Sequence, residues 1–295
     1  MESRTLGNTD LEVTRLAFGG ARIGIEDVTE EQVDELLNGF LDAGATLLDT
    51  AACYGESEEL IGKFVSGRRD EFVLASKCGH VTGDASGEPW TAGLIRESID
   101  RSLVRMKTDR IDLMQLHSCS VDVLKAGEAV EAVLTAKEEG KVRYIGYSGD
   151  GEDALEAIRM GVFSTLQTSY NLVDQKARYE VLPAAIAAGM GVIAKRPIAN
   201  GAFGKSASPY DYADAYWDRS KQITLPDGAP EDGIKLALRF TLSNDAIDTA
   251  IVGTSRLENA KANIETASAG PLPEEVVESL QSQFDELGAD WNQRT

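Results

Sequence analysis

Four polar side chains lie at or just after predicted strand ends, and together they are suited to acid–base chemistry. Asp49 ends the segment ATLLD, Lys77 ends LASK and His117 ends LMQLH, and each segment has the length and apolar content of a strand. Tyr54 lies in the turn that follows Asp49. If the strands are parallel, their carboxyl ends meet at one edge of the sheet, which would bring these four side chains together.

This group can exchange a proton with a carbonyl or alcohol oxygen. A free tyrosine has a pKa of about 10, and a neighbouring ammonium lowers that pKa because it stabilises the phenolate. Lys77 can supply the ammonium, and Asp49 can keep it ionised and fixed. His117 can hydrogen-bond the substrate oxygen and share in its protonation. The sequence therefore predicts Tyr54 as a general acid or base whose pKa Lys77 lowers.

The elements that must position these groups alternate between strand and helix. Apolar residues in 30–44 recur at the 3.6-residue period of an amphipathic helix, and this segment is followed by a strand and a turn. Further helices are predicted at 91–106 and 126–139. Strands are predicted at 16–19, 45–49, 72–76, 111–116, 142–147, 165–168, 191–194 and 246–252. Such alternation favours parallel strands with right-handed crossovers.

About eight strand–helix units over 295 residues favour an α/β fold, a parallel (β/α)8 TIM barrel that forms a single domain over residues 1–295. The segment RTLGNTDLEVTRL predicts an N-terminal β-hairpin that plugs the lower end of the barrel. Residues 200–230 form a long connection, and the tail after Pro271 predicts a C-terminal helix. An open doubly wound sheet is the alternative, although no G-x-G-x-x-G follows the first strand.

The composition excludes several classes of protein. The chain has 49 acidic and 29 basic residues, and its net charge of −20 disfavours nucleic-acid and membrane partners. It has no apolar run of the roughly 18 residues that a membrane helix needs, and no signal peptide is evident, so we expect a cytoplasmic protein. The three cysteines are expected to be reduced thiols. The oligomeric state stays open.

The segments LLDTAACYGESEELIG, LASKCG and RIDLMQLHS resemble, in order and spacing, the signature segments of the aldo-keto reductase superfamily. The resemblance extends from RTLGNTDLEV to IVGTSRLENAKANIE and so covers nearly the whole chain. It implies a catalytic tetrad of Asp49, Tyr54, Lys77 and His117, with Tyr54 as general acid or base. It also implies metal-free hydride transfer between a nicotinamide cofactor, held across the barrel mouth, and a small-molecule carbonyl or alcohol.

The same resemblance implies the residues that bind the cofactor, which we expect to be NADP(H), with NAD(H) as a second candidate. Ser148 and Gln167 match positions that hold the nicotinamide carboxamide, and Asn263 matches an adenine contact. The TSR segment ending at Arg256 matches the 2′-phosphate site, and its place at a helix N-terminus also suits an anion, with a plain helix cap as the alternative. The full predicted set is Gly20, Ala21, Ser148, Gly149, Gln167, Lys195, Arg196, Pro197, Ile198, Asn200, Gly253, Thr254, Ser255, Arg256, Asn259 and Asn263.

Four positions depart from the family's pattern. Gly149 stands where many members have asparagine, so one hydrogen bond to the carboxamide is missing or replaced. Lys195 and Arg196 stand where members commonly have an aromatic residue that stacks on nicotinamide. We expect Arg196 to lie against the nicotinamide or to reach the pyrophosphate. Ala21 stands where many relatives have a bulky aromatic, which would open that wall of the substrate pocket.

Aromatic residues on the predicted mouth loops are candidates for substrate contact, with packing in the core as the alternative. We expect Trp90 to contact substrate, and further candidates are Tyr210 and Trp217. The sequence does not identify the substrate.

Other functions remain open at this point. The same residues could oxidise an alcohol, for example a sugar hydroxyl, or the chain could be a cofactor-binding regulatory subunit. Cys53, Cys78 and Cys119 each lie within two residues of the tetrad and could form a redox switch or, with His80 and His117, a metal site. We expect no metal because the spacing fits no compact metal motif, and Cys78 should point away from Lys77.

Overall fold

The computed structural model describes residues 1–83, 85 and 87–293, and its centre is a closed barrel of eight parallel strands. Neighbouring strands follow chain order, and the last strand pairs with the first. The (β/α)8 barrel is therefore confirmed, and the alternative of an open sheet is wrong. A hairpin is formed by β1 (Ser3–Thr5) and β2 (Glu12–Thr14), and the barrel by β3 (Leu16–Gly19), β4 (Leu47–Asp49), β5 (Val73–Cys78), β6 (Ile111–His117), β7 (Val142–Ser148), β8 (Thr165–Ser169), β9 (Gly191–Lys195) and β10 (Thr249–Gly253).

Helices surround the barrel, and buried apolar residues of helices and strands form one cluster on its outer side. Among the described residues, no helix is both long and apolar enough to cross a membrane. The helices are α1 (Ala21–Ile25), α2 (Glu30–Asp42), α3 (Ser57–Phe64), α4 (Ala92–Arg105), α5 (Val121–Ala126), α6 (Glu128–Glu138), α7 (Gly151–Met160), α8 (Val181–Ala187), α9 (Asp214–Ser220), α10 (Gly233–Leu242), α11 (Leu257–Ser268) and α12 (Glu274–Leu287).

Local sequence explains where these helices begin and end. The hydroxyl of Thr29 accepts the backbone N–H of Gln32, and the Gln32 side chain returns a bond to the Thr29 backbone, so a capping box starts α2. The helix predicted over 126–139 is present as α6, and the short helix α5 that precedes it was not predicted. Gly127 takes a left-handed φ of +82°, which ends α5 and starts α6 as a separate helix.

The predicted hairpin is confirmed, and its apolar residues close the lower end of the barrel. Leu6 and Leu11 are buried against Leu47, Leu113 and Ile193, which point into the barrel from three strands. The intervening strand residues pack outward against the helices, as the two-residue period of a strand requires. This alternation fixes the direction of the residues above the plug. A residue that lies two positions further along the strand than an inward-pointing apolar residue also points into the barrel.

Several predicted boundaries shift by one or more residues. The third strand of the barrel, β5, begins at Val73 and continues to Cys78, so Lys77 lies inside a strand and not at its end. The eighth strand of the barrel, β10, is shorter than predicted and covers Thr249–Gly253. The C-terminal helix is confirmed as α12, which buries Leu280 and Phe284. The long connection over 200–230 contains α9 and two short 3₁₀ segments.

We expect Leu6→Ala to destabilise the protein by about 2–5 kcal/mol, because it leaves a cavity in the plug. Leu6 is fully buried, and its side chain lies so close to Gly191 that a Cβ there would be 2.6 Å from the Leu6 Cγ. Urea unfolding measures the change. The matched control is Leu225→Ala, which removes a side chain that is 48% exposed. Equal, small losses in both variants would show that the plug does not contribute to stability.

Candidate active site

Polar side chains form a layer directly above the apolar plug. Leu47, Ala75 and Leu113 belong to the inner apolar cluster, and two residues further along the same strands come Asp49, Lys77 and Gln115. The strand register places Lys77 level with Gln115, and His117, two residues further on, level with Ser148. The structure thus brings the predicted residues of three successive strands to one end of the barrel.

Lys77 and Asp49 form a buried ion pair at the centre of this layer. Lys77 Nζ lies 2.6 Å from Asp49 Oδ2 and also donates to the carbonyl of Thr50 at 2.9 Å. The other carboxylate oxygen, Oδ1, accepts the side-chain amides of Gln115 at 3.2 Å and Gln167 at 2.8 Å. Burial alone would lower the pKa of Lys77, but Asp49 raises it above its usual value, so the ammonium stays charged.

Tyr54 lies beside this ammonium, in a turn that is fixed by neighbouring backbone. Lys77 Nζ is 5.0 Å from the centre of the Tyr54 ring. The Tyr54 N–H donates to the carbonyl of Ala51 at 3.0 Å, and Gly24 packs so closely that a Cβ there would lie 1.8 Å from the Tyr54 carbonyl oxygen. A residue with a side chain at position 24 would therefore displace the turn that carries Tyr54.

The pKa of Tyr54 differs from the sequence prediction. Burial raises the pKa of the phenol, the charge of Lys77 opposes that shift, and Asp49 adds to it. The net pKa is above the usual tyrosine value, so the predicted net lowering is wrong, although Lys77 acts in the predicted direction. At neutral pH the phenol is protonated and can act as a proton donor.

His117 lies between three neighbours and is uncharged. Its ring is edge-on to Tyr54 at 5.9 Å and to His80 at 5.0 Å, and its Nδ1 lies 3.4 Å from the sulfur of Cys53. Burial is the largest cause that lowers its pKa, to about 2, and the charge of Lys77 lowers it further. A neutral imidazole has one donor and one acceptor nitrogen, so His117 can donate a hydrogen bond only from the nitrogen that holds the proton.

Trp90 extends this row of rings on the outer side of His80. The His80 and Trp90 rings are 5.0 Å apart. Trp90 has a left-handed φ of +68°, and its ring covers Gly79, where a Cβ would lie 1.9 Å from the ring. Trp90 is thus brought to the wall beside His117. By contrast, Tyr210 packs on Arg22 at 5.3 Å, and Trp217 donates to the carbonyl of Lys205.

Ser148 and Gln167 are brought together next to Asp49. The Ser148 hydroxyl donates to Gln167 Oε1 at 3.1 Å, and the Gln167 amide donates to Asp49. Gly149 follows Ser148, and the ring of Tyr147 covers it, so that a Cβ at position 149 would lie 2.6 Å from the Tyr147 hydroxyl. The Tyr147 hydroxyl donates to the carbonyl of Cys119. Tyr147 therefore fills the space into which a side chain at position 149 would extend.

Lys195 is paired with a carboxylate that the sequence reasoning missed. Its Nζ lies 2.8 Å from Asp150 Oδ2, and the other oxygen of Asp150 accepts the Thr168 hydroxyl and the Ser169 N–H. Asp150 directly precedes α7, where an aspartate is normally a helix cap, but its side chain caps no backbone N–H of α7. Because a helix cap is the ordinary role of an aspartate at this position, the sequence analysis did not select Asp150. Arg196, the next residue, donates to the Ser169 and Tyr212 hydroxyls.

The turn after Lys195 has the geometry of a binding surface. Arg196, Ala199 and Asn200 all have left-handed φ values, of +58°, +47° and +56°. Pro197 is held through its carbonyl, which accepts the Thr241 hydroxyl at 3.0 Å, and Ile198 is half-buried beside it. The buried amide nitrogen Nδ2 of Asn200 has no hydrogen-bond partner among the described residues. An unpaired buried donor of this kind fits a polar ligand.

The segment after β10 lies beside the end of β3. Gly19 and Gly253 are paired so closely that a Cβ on Gly19 would lie 3.1 Å from the Gly253 nitrogen, and the N–H of Gly20 donates to the carbonyl of Asp49. The Thr254 hydroxyl accepts the Arg256 N–H at 3.2 Å at the start of α11. The remaining predicted positions range from exposed to buried: Ala21 and Ser255 are half-buried, Asn259 is exposed and Asn263 is buried.

The Arg256 guanidinium is 70% exposed, and the nearest carboxylate, that of Glu258, is 3.8 Å away. Its charge is therefore available to an anion at the start of α11, whose side-chain cap is absent among the described residues. Together with the unpaired Asn200 amide and the glycine pair, this arrangement fits an anionic dinucleotide across the barrel mouth.

The three cysteines are free thiols and differ in exposure. Cys78 points outward into the helix-covered core, as predicted, and Cys119 is also buried, whereas Cys53 is exposed. Burial raises the pKa of Cys119 to about 12 and also raises that of Cys78. Within the described part of the chain, no group of three histidine, cysteine or acidic residues is arranged to hold a metal ion.

We expect the neutral His117 to make the protein less stable in acid. Its folded pKa of about 2 lies below the unfolded value of 6.5, so only the unfolded chain takes up this proton as the pH falls. Between about pH 7 and about pH 5 the wild type should lose about 2 kcal/mol of unfolding free energy that His117→Asn does not lose. Urea unfolding at the two pH values measures this difference. The same pH dependence in both proteins would contradict a neutral, buried His117.

The chain is similar over nearly its full length to known oxidoreductases. Residues 15–284 match the model of the aldo/keto reductase family. An uncharacterized oxidoreductase of Bacillus subtilis, YqkF, is 29% identical and covers 96% of both chains, and L-galactose dehydrogenase of Arabidopsis thaliana is 27% identical over 90% of this chain and 87% of that one. The holo form of aldo-keto reductase AKR11C1 from Bacillus halodurans superimposes with a TM-score of 0.82, at 28% identity and 96% coverage of each chain. The strand-end geometry and these matches agree, and the chain belongs to the aldo/keto reductase family.

Proposed function

We propose that the protein is an NADP(H)-dependent oxidoreductase that reduces a small aldehyde or ketone to the alcohol. One observation carries the proposal. The protonated phenol of Tyr54 lies beside an ammonium, that of Lys77, which a buried carboxylate holds in place. This arrangement suits transfer of a proton to a carbonyl oxygen, because the ammonium stabilises the phenolate that remains.

The residues of the tetrad have separate roles in this proposal. When bound, the reduced nicotinamide supplies a hydride to the carbonyl carbon. Tyr54 donates its proton to the carbonyl oxygen, and His117 hydrogen-bonds the same oxygen and so orients the substrate. Lys77 stabilises the tyrosinate, and Asp49 keeps Lys77 charged and fixed. Trp90 forms a wall of the substrate pocket beside His80.

The cofactor-binding set of the sequence analysis is proposed to hold the dinucleotide. Ser148 and Gln167 would hold the nicotinamide carboxamide, and Gly20, Ala21, Gly149 and Gly253 are the further positions proposed to line this part of the site. The turn from Lys195 to Asn200 would bind the nicotinamide and pyrophosphate, and Arg256 would pair with the 2′-phosphate. Thr254, Ser255, Asn259 and Asn263 would bind the adenosine end. Arg196, which donates to the Ser169 and Tyr212 hydroxyls, is the proposed cation for the pyrophosphate or the nicotinamide.

A second candidate is the reverse reaction, oxidation of an alcohol such as a sugar hydroxyl. The similarity to L-galactose dehydrogenase favours it. The same residues serve both directions, since a phenolate of Tyr54 can accept the proton that its phenol donates. A regulatory subunit that binds cofactor without turnover is the remaining alternative.

We expect Tyr54→Phe to lower kcat for a slowly reacting carbonyl by about 10²–10⁴-fold, because it removes only the proton donor. The assay follows loss of NADPH absorbance with a panel of aldehydes and ketones. Cofactor affinity, measured by fluorescence titration, should change little.

Tyr179→Phe is the matched control, since it removes a phenol that is 52% exposed and distant in sequence from the tetrad. It should keep wild-type kcat. Near wild-type turnover of Tyr54→Phe would contradict Tyr54 as the proton donor. Tight NADPH binding by a wild type that reduces nothing in the panel would instead favour the regulatory role.

We expect Arg256→Ala to weaken NADPH binding by about 10- to 100-fold and NADH binding very little. The reason is the loss of a charge-assisted hydrogen bond to the 2′-phosphate, which contributes about 1.5–3 kcal/mol. Dissociation constants for both cofactors at low and raised salt measure the effect, and the wild-type preference for NADPH should decline with salt.

Arg159→Ala is the control for net charge, because it removes an arginine of similar exposure from α7. It should leave both cofactor affinities unchanged. If Arg256→Ala weakens both cofactors equally, or if the wild type binds NADH as tightly as NADPH, the TSR segment is a helix cap and the NADP(H) assignment fails.

A further inference from the structure

Cys53 is the one neighbour of His117 for which the structure records a contact with a ring nitrogen, within the described part of the chain. Its sulfur lies 3.4 Å from His117 Nδ1. The turn that carries Cys53 is held on both sides of it. The N–H of Ala52 donates to the Lys77 carbonyl at 3.2 Å, and the N–H of Tyr54 donates to the Ala51 carbonyl at 3.0 Å. The same turn therefore sets the positions of Tyr54 and of the Cys53 sulfur.

The two groups share one hydrogen bond, and each has a single proton. Although Cys53 as a residue is exposed, desolvation of its thiol raises the pKa more than the nearby ammonium of Lys77 lowers it, so the sulfur stays a thiol. His117 is a neutral imidazole, as described above. The hydrogen bond therefore runs in one of two directions. Either the thiol donates to Nδ1, and the ring proton is on Nε2, or Nδ1 holds the proton and donates to the sulfur.

The two directions differ in what they leave on Nε2. Each pairs one weak group of the thiol, its S–H or its sulfur, with a good group of the imidazole, so the state of Nε2 decides between them. With the ring proton on Nδ1, the Nε2 atom would have a lone pair and could only accept. With the proton on Nε2, that atom can donate to an oxygen in the pocket beside Tyr54.

We propose that Cys53 is a positioning residue that donates its thiol proton to Nδ1 of His117 and so holds the imidazole with its proton on Nε2. His80 and Tyr54 meet the ring edge-on, and among the described residues only Cys53 has a recorded contact with a nitrogen of that ring. Cys53 therefore selects which nitrogen is protonated. The inference rests on the proposed function, in which His117 must donate a hydrogen bond to the carbonyl oxygen.

The tautomer can be observed directly, because the chain has only two histidines. Protein labelled with ¹⁵N-histidine gives two sets of long-range ¹H–¹⁵N correlations near neutral pH, and the spectrum of His80→Gln assigns the set that belongs to His117. The expected wild-type result is an unprotonated Nδ1 and a protonated Nε2. A wild-type His117 with its proton on Nδ1 overturns the proposal.

Three variants test the role of the thiol. Cys53→Ser keeps a donor and should keep the wild-type tautomer. Cys53→Ala removes the donor and should raise the fraction with the proton on Nδ1 relative to Nε2 by about two- to tenfold, the range of one net hydrogen bond. Cys119→Ala is the matched control and should not change the His117 signals. An unchanged ratio in Cys53→Ala overturns the proposal.

Turnover separates this role from a purely structural one. In Cys53→Ala, kcat should fall in proportion to the fraction of His117 that keeps its proton on Nε2, by less than the roughly two- to tenfold change in the tautomer ratio, with little change in KM for the cofactor, and Cys53→Ser should restore most of kcat. A fall in kcat without a change of tautomer would mean that Cys53 acts in another way and would overturn the proposal. The spectra need no turnover, so failure of the proposed reaction and failure of this inference give different results.

Discussion

The buried ion pair between Lys77 and Asp49 is the constraint on which the rest of the site depends. Two opposite charges inside a barrel are tolerated only when their remaining hydrogen-bonding groups are satisfied. Here Lys77 also donates to the carbonyl of Thr50, and Asp49 also accepts the side-chain amides of Gln115 and Gln167. The hydrogen-bond network continues to the next strand, since the side-chain oxygen of Gln167 accepts the hydroxyl of Ser148. Residues from four strands are thereby tied to one carboxylate, and the same ammonium shifts the protonation of Tyr54 and His117.

Much of the fold and of the site could be predicted, because both follow from local periodicity. The 3.6-residue pattern of α2 and the apolar strand segments indicate that helices and strands alternate along the chain. This alternation favours the parallel barrel that the structure shows. Strand alternation then places every second residue inside. Asp49, Lys77 and His117 could be assigned to one mouth because the carboxyl ends of parallel strands meet there, and in the structure each lies an even number of residues from an inward apolar residue. The separation of Cys78 from Lys77 follows from the same rule.

The features that sequence reasoning missed depend on contacts between distant segments. Asp150 resembles a helix cap, and only the closing of the barrel brings it to Lys195, 45 residues along the chain (195 minus 150). The Cys53–His117 contact is likewise non-local. The prediction of a lowered pKa for Tyr54 was wrong because it considered the charge of Lys77 and not the burial of the phenol. Helix α5 separates from α6 because Gly127 adopts a left-handed backbone, which a helical apolar pattern does not reveal.

The pH profile of alcohol oxidation in Lys77→Met tests most directly the claim that the ion pair controls Tyr54. Oxidation needs the phenolate of Tyr54, and the ammonium opposes the rise in its pKa that burial causes. Without the ammonium that pKa should rise further, so the remaining oxidation activity of Lys77→Met should require more alkaline solution than the wild type. Circular dichroism would verify that the variant is folded. A folded variant with an unchanged pH profile would contradict the account.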